Sequence, residues 1–337
     1  MVPVGKLITD RPALARAVQA IASKKPALAK LMTATLDCLL AGIQASPQQE
    51  TAWTFSTLSS NGYPVEFTFS SMEEGIRYAV EVSGPEINPR ERLSQIEDLL
   101  KKLNVSHACT ETINRFKQIQ EDQSLKWGAW LGVRHIDEKT YYKIYTEVPE
   151  SQSTIIDREI YQIFGDRPLL ADRVVCPTAI GHQLGSSWTE YYFIIEEFGL
   201  VFRQIQSLLW RAELYERCWE LLELIQETRG YLDPASAPGF APAKYGFSYA
   251  KSGTNQPIIF SFFAFARRLI GSDAEIRRNI LALAKRRGWD FEAYAELTAP
   301  LATWEDRCDC HNVIAFVVAP KGPLGLHVSL SPPNPII

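Results

Sequence analysis

Short strand pairs that alternate with amphipathic helices constrain this chain more than any other feature. The stretch Asn61 to Val82, NGYPVEFTFSSMEEGIRYAVEV, holds two runs rich in aromatic and β-branched residues, parted by the turn Glu73-Glu74-Gly75. Upstream, apolar residues recur at helical spacing over 27–43, and TAWTFSTL (51–58) reads as a further strand. Downstream, Asn88-Pro89 suits the start of a helix. The same order then returns. KWGAWLGVRHI and TYYKIYTEV read as strands around Asp137-Glu138-Lys139, followed by the helix IIDREIYQIFG. DRVVCPTAI and SSWTEYYFII precede one long helical stretch over 201–230. KYGFSYAK and PIIFSFFAF precede SDAEIRRNILALAKRRG, and NVIAFVVAP and LGLHVSLSP close the sequence.

A helix–strand–strand–helix unit therefore recurs about five times at a spacing of roughly 45 to 70 residues, too long and irregular for a solenoid. Tight turns make each pair an antiparallel hairpin, covered on one face by helices. Around ten such strands close most economically into a barrel, because closure removes exposed edges. The expected fold class is α+β, a ten-stranded antiparallel barrel ringed by helices. It forms a single domain over 1–337 whose interior is wide enough for a ligand chamber. The segment 233–243 is the best linker candidate and reads as a loop.

The chain has 337 residues, 46% hydrophobic, with a formal net charge of −4. That gives ample core and no electrostatic reason to expect nucleic acid or an anionic membrane as partner. An anion bound here must be held by a local cluster of cations. The N-terminus shows no signal-peptide pattern, and no apolar run is long enough to span a bilayer. Cys38, Cys109, Cys176, Cys218, Cys308 and Cys310 are scattered as reduced thiols would be, so the expected location is cytoplasmic, as a monomer or homodimer. Cys308-Asp309-Cys310-His311 is too tight for a zinc knuckle and reads as a loop beside a strand. The five histidines show no triad or metal spacing.

Alternation assigns faces. Val65, Phe67 and Phe69 suit an apolar helical cover, which turns Glu66, Thr68 and Ser70 inward. Tyr141, Lys143, Tyr145 and Glu147 share one face of their strand, as do Trp188, Glu190 and Tyr192 of theirs. The inward set is charged and aromatic together. A dry core would not tolerate such charges unpaired. A chamber for an anionic group joined to a flat or greasy one uses both kinds of side chain.

Gly62-Tyr63-Pro64-Val65-Glu66-Phe67-Thr68 resembles the G-x-P-[IV]-E-[YF]-[ST] segment of indole prenyltransferases of the dimethylallyl-tryptophan-synthase type. IRYAVEV looks like that family's [IV]RY-x-[IV]E strand, TYYKIYTEVP is similar to its K-x-Y strand, and the layout resembles the ABBA prenyltransferase barrel. The layout covers nearly the whole chain, the sharp motifs only 61–82 and 140–149. The length looks more like bacterial members, including cyanobacterial indole-alkaloid enzymes, than fungal ones.

The resemblance implies transfer of a dimethylallyl or geranyl group from its diphosphate to an indole-containing small molecule. It implies that Glu66 orients the indole N–H, and that Arg77, Lys143 and Tyr145 belong to a cage that holds diphosphate and shields the allyl cation. Tyr192 fits the final tyrosine of the third hairpin, but Trp188 and Glu190 stand where the family often has cations. Tyr249 and His327 are candidate substitutes on the fourth and fifth hairpins, and Trp188 a candidate wall for the arene. No organic cofactor is implied. A magnesium ion bridging diphosphate to Glu190 would make up the missing charge. Two other readings stay open, a non-catalytic barrel for a lipophilic or aromatic ligand and a peptide prenyltransferase. A lone glutamate is more often exposed or in a structural ion pair, and Trp127 and Trp130 are more often core than substrate wall.

Overall fold

Pro12 and Pro26 each stand in the first turn of a helix, where a missing N–H costs nothing. They open α1 (Pro12–Lys24) and α2 (Pro26–Leu39), which lead through the single turn α3 (Ala41–Gln44) toward the first hairpin. The computed structural model describes residues 11–105, 110–149, 153–164, 169–170, 173–195, 202–231, 244–253, 257–304 and 309–333. Cys109, Cys308 and the loop expected at 233–243 lie outside the described residues.

The first hairpin is β1 (Val65–Ser70) and β2 (Ile76–Val80), followed by α4 (Arg92–Lys102) and α5 (Thr110–Gln120). The second is β3 (Ala129–Ile136) and β4 (Lys139–Glu147), then α6 (Ser153–Phe164). Asp137, with φ 53°, takes the left-handed conformation that its two-residue turn demands. A minimal pair, β5 (Leu169–Leu170) and β6 (Arg173–Val174), precedes the third hairpin of β7 (Pro177–Gln183) and β8 (Trp188–Ile195). Then come α7 (Phe202–Arg211) and α8 (Cys218–Thr228), β9 (Tyr245–Ser252) and β10 (Ile259–Phe265). The short α9 (Ala266–Leu269), α10 (Asp273–Arg287) and α11 (Glu292–Leu297) lead to the last hairpin, β11 (His311–Val318) and β12 (Gly325–Leu330).

Ten strands close into one antiparallel barrel in the order β1-β12-β11-β10-β9-β8-β7-β4-β3-β2, so the first strand pairs with the last. The expected barrel is therefore present. Its outward side chains, such as Phe67, Ile144, Phe193, Phe260, Phe316 and Val328, are buried under the helices. Each contributes about 1.5–3 kcal/mol by leaving water. The inward set, including Glu66, Arg77, Lys143, Tyr192 and Phe263, is only half-buried. The barrel is thus dry outside, beneath its helices, and open within.

Two local expectations fail. TAWTFSTL has no partner strand; Thr51–Trp53 is a 3₁₀ turn, and its Trp53 is buried against Tyr63 with the Arg11 guanidinium 4.5 Å above the ring. Its aromatic content serves packing at the barrel's flank. The stretch expected as one helix is two over its described residues, because Glu213 adopts φ 59° and a 3₁₀ turn at Tyr215–Arg217 separates α7 from α8. Among the described residues no helix is long and apolar enough to cross a membrane.

Candidate active site

Glu66 stands on β1 between two outward, buried neighbours, Val65 and Phe67, and so points into the barrel. Its Oε2 accepts from the Asn312 amide, and Ser329 of β12 adds a second hydrogen bond. The Ser60 hydroxyl donates to the Asn312 amide oxygen at 2.7 Å, and the Asn312 Nδ2 also donates to the Leu58 carbonyl at 2.9 Å. The amide is thereby fixed with its NH₂ end toward Glu66. Burial pushes the Glu66 carboxyl up to about 7, with the two donors pulling the other way. A carboxylate offers about four acceptor positions, so two donors leave room for a third. Glu66 does not pair with Arg77.

Asn312 escapes the alternation rule for a definable reason. The β11–β12 register shifts between His311 and Ile314, a bulge that puts an extra residue in the strand. His311 faces the helices, where Asp273 holds Nδ1 at 2.6 Å and the Tyr294 hydroxyl meets Nε2 at 2.9 Å. The bulge then turns Asn312 to Glu66. The Cys310-His311 pair is structural.

β8 lies opposite β1 in the ring, five places away in either direction. There Lys143 of β4 and Glu190 of β8 form an ion pair inside the barrel. Lys143 Nζ donates to the Tyr192 oxygen at 2.9 Å, the Tyr192 hydroxyl donates to Glu190 Oε2 at 2.6 Å, and Ser248 of β9 donates to Oε1. Burial opposes the Lys143 charge, but the Glu190 carboxylate outweighs it and holds the ammonium above its ordinary range. Lys143 Nζ also lies 5.0 Å from the Tyr145 ring centre and 5.4 Å from that of Tyr192. The faces of both rings already serve a cation. Gly132 makes room for Tyr145, since a Cβ there would come within 2.7 Å of its ring.

Arg77 of β2 is paired across the strands with Arg134 of β3. Glu73, in the β1–β2 turn, bonds Arg77 Nε and lies 3.3 Å from Arg134. Arg134 in turn lies 4.9 Å over the Tyr141 ring. Arg134 is a cage cation beyond those expected from the sequence, and alternation signals it, since Trp130, Gly132 and Arg134 alternate inward as Lys143 and Tyr145 do. At the other end of the same strand, the Trp130 indole donates to Glu81 at 3.2 Å. Arg92 also pairs with Glu81, at 2.9 Å, and Trp127 stacks on Trp130 at 3.8 Å.

His327 of β12 sits across from Ser70 on the inward face, and its Nε2 is buried with no partner. Trp188 begins β8 on the same face as Glu190, beside Ser252 of β9, and is half-buried. Tyr249 does not belong to the chamber. It is fully buried on the outward face, its hydroxyl donating to the Leu208 carbonyl of α7 at 2.9 Å. Glu190 has both oxygens engaged by Lys143, Tyr192 and Ser248, and no group of three His, Cys, Asp or Glu side chains suited to a metal occurs among the described residues. These side chains do not fit a protein-held magnesium.

No protein-family model matches the sequence, and none of the curated proteins does. Solved structures do. A 6-dimethylallyltryptophan synthase from Micromonospora olivasterospora, in complex with DMASPP and Trp, superposes with a TM-score of 0.76 at 18% identity, covering 95% of this chain and 96% of that one. The apo form of the prenyltransferase PriB gives 0.74 at 18% identity, covering 96% and 97%. The 5-dimethylallyltryptophan synthase from Streptomyces coelicolor gives 0.70 at 14%, covering 94% of each chain. The chain therefore has the prenyltransferase-barrel fold of the dimethylallyltryptophan synthases.

Proposed function

We propose that the protein is an aromatic prenyltransferase that moves an allylic group, dimethylallyl or geranyl, from its diphosphate to an indole-containing small molecule. One observation carries this reading. A lone carboxylate with spare acceptor capacity, Glu66, looks across the chamber at a Lys-Tyr-Tyr cluster, within a barrel whose solved counterparts include complexes with DMASPP and Trp. A chamber that merely binds a greasy ligand has no use for these charges, which are costly to enclose.

The chemistry follows from the side chains. The bond between the allylic carbon and its diphosphate oxygen breaks, and the electron pair leaves with the diphosphate. Arg77, Arg134 and Lys143 stabilise that growing negative charge. The Tyr145 and Tyr192 rings face the carbocation, and an enclosed chamber keeps water from it. Glu66 accepts a hydrogen bond from the indole N–H, which orients the ring and enriches it in electrons. A ring carbon then bonds the allylic carbon, and its proton passes to the released diphosphate or to solvent, which restores aromaticity. Glu66 must be ionised to bring to that hydrogen bond the negative charge that enriches the ring. With the carboxyl pushed up to about 7, kcat/KM rises with pH through that region and falls below it.

The test is incubation with dimethylallyl or geranyl diphosphate and tryptophan or simpler indoles, read by mass spectrometry. Products heavier by one prenyl unit are expected, formed about 10²-fold or more slowly by Glu66→Gln. No prenylated product across donors and indoles overturns the reading.

A further inference from the structure

The cage has an unfilled requirement. Arg77 and Arg134 already share Glu73, and Lys143 already has Glu190, so each of these three cations has an acid partner before any ligand arrives. β8 to β11 contribute no cation to the inward face over their described residues, where Glu190, Ser248, Ser261, Phe263 and Ala315 stand. An allylic diphosphate brings several negative charges into this space.

Among the described residues His327 is the one further inward side chain able to become a cation. Its Nε2 is buried and has no hydrogen-bond partner, an arrangement that costs stability unless a ligand supplies one. The strands beside it present no charge at its level, only Ser70 from β1 and Ala315 from β11. The charges it feels come from Arg77 on β2, two strands away on the same side of the ring, and from Glu190 of β8 and Lys143 of β4 across the chamber. Glu73 lies beyond Arg77.

We propose that His327 binds the diphosphate as an imidazolium, which it becomes only when the anion is present. The proposal rests on the prenyltransferase reading and adds a proton to it. Without the anion, burial first and then Arg77 push the imidazole down to about 3, with Glu190 pulling the other way and Lys143 adding a smaller push, so the ring stays neutral. A diphosphate reverses the sign of that field. A proton then moves from solvent to His327, and its Nε2–H donates to a diphosphate oxygen. No covalent bond changes in this step. The charge that the third and fourth hairpins lack is thus supplied on demand from the fifth. A permanent cation beside Arg77 and Lys143 would cost repulsion in the unliganded protein.

Long-range ¹H–¹⁵N spectra of the imidazole rings test this directly in wild-type protein, with His327 assigned by His327→Gln. At pH 7.5 the ring is expected to be neutral alone and doubly protonated with inorganic pyrophosphate or dimethylallyl thiolodiphosphate. Calorimetry of pyrophosphate binding in buffers of different ionisation enthalpy is expected to show about one more proton taken up by wild type than by His327→Gln. The variant is expected to bind pyrophosphate about tenfold more weakly, a loss that shrinks as pH rises. A neutral His327 with pyrophosphate bound, or equal proton counts in the two proteins, overturns this inference and leaves the prenyltransferase reading standing. Failure of wild type to bind either diphosphate overturns both.

Discussion

β4 and β8 turn Lys143, Tyr145, Glu190 and Tyr192 into the chamber, whereas β9, β10 and β11 turn in Ser248, Ser261, Phe263 and Ala315. On their outer faces the two regions are alike. Ile144 and Phe193 on one, Phe247, Phe260 and Phe316 on the other, are all buried beneath helices. Folding therefore imposes one rule on both walls, apolar outward, and leaves the inner faces to function. The charged wall suits the diphosphate and the nascent cation. The small and aromatic wall suits the uncharged parts of a prenyl chain and an arene.

Changes that separate the two faces should separate activity from stability. The largest effect is expected at Glu66→Gln, which keeps the shape and can still accept from Asn312. Turnover should fall by about 10²-fold or more. Stability should move the other way. A carboxyl raised from about 4.3 unfolded to about 7 in the barrel loses stability as pH climbs through that window. The variant should therefore melt no lower than wild type at pH 8, and a markedly lower midpoint would show that Glu66 is structural.

Lys143→Met should lower kcat/KM by about 10²-fold and also destabilise, because Glu190 is left inside the barrel without its counter-ion. Adding Glu190→Gln should restore the melting point and not the activity. Recovery of both would mean that the ion pair serves only the fold.

Asn312→Ala removes a donor that favours ionised Glu66. The acid limb of kcat/KM should shift to higher pH, with a loss of about tenfold near pH 7 and less at pH 9. A pH-independent loss would instead mark Asn312 as a packing residue.

The smallest and sharpest contrast is between two tyrosines on neighbouring strands. Tyr249→Phe deletes the hydroxyl that bonds Leu208 and should cost about 1 kcal/mol of stability with turnover intact. Tyr192→Phe should cost little stability and reduce turnover, since its hydroxyl joins Lys143 and Glu190 at the chamber. A reversed outcome would dissolve the distinction between walls.

Much of this was legible in the period of two. The rule that sent Val65 and Phe67 outward placed Glu66, Lys143, Glu190 and Tyr192 inside, where the structure has them. The same rule would have corrected Tyr249, whose companions Tyr245 and Phe247 form the aromatic face of β9, while Gly246, Ser248 and Ala250 form the small one. Arg134 carried the same signal. Glu73 carried none, because a turn residue has no alternating face, and its two arginine partners sit on different strands.

Asn312 was out of reach in principle. A one-residue bulge inverts the phase of β11, and nothing local to NVIAFVV announces it. The sequence by itself determined the hairpins, the helices between most of them and the side of each regular strand that meets water, because these depend on near neighbours. Only the tertiary structure decided that β1 closes on β12, which brings Asn312 and Ser329 to Glu66 across about 250 residues of chain. Closure is a property of the whole ring, and so is the chamber whose burial sets the charge on Glu66 and on His327.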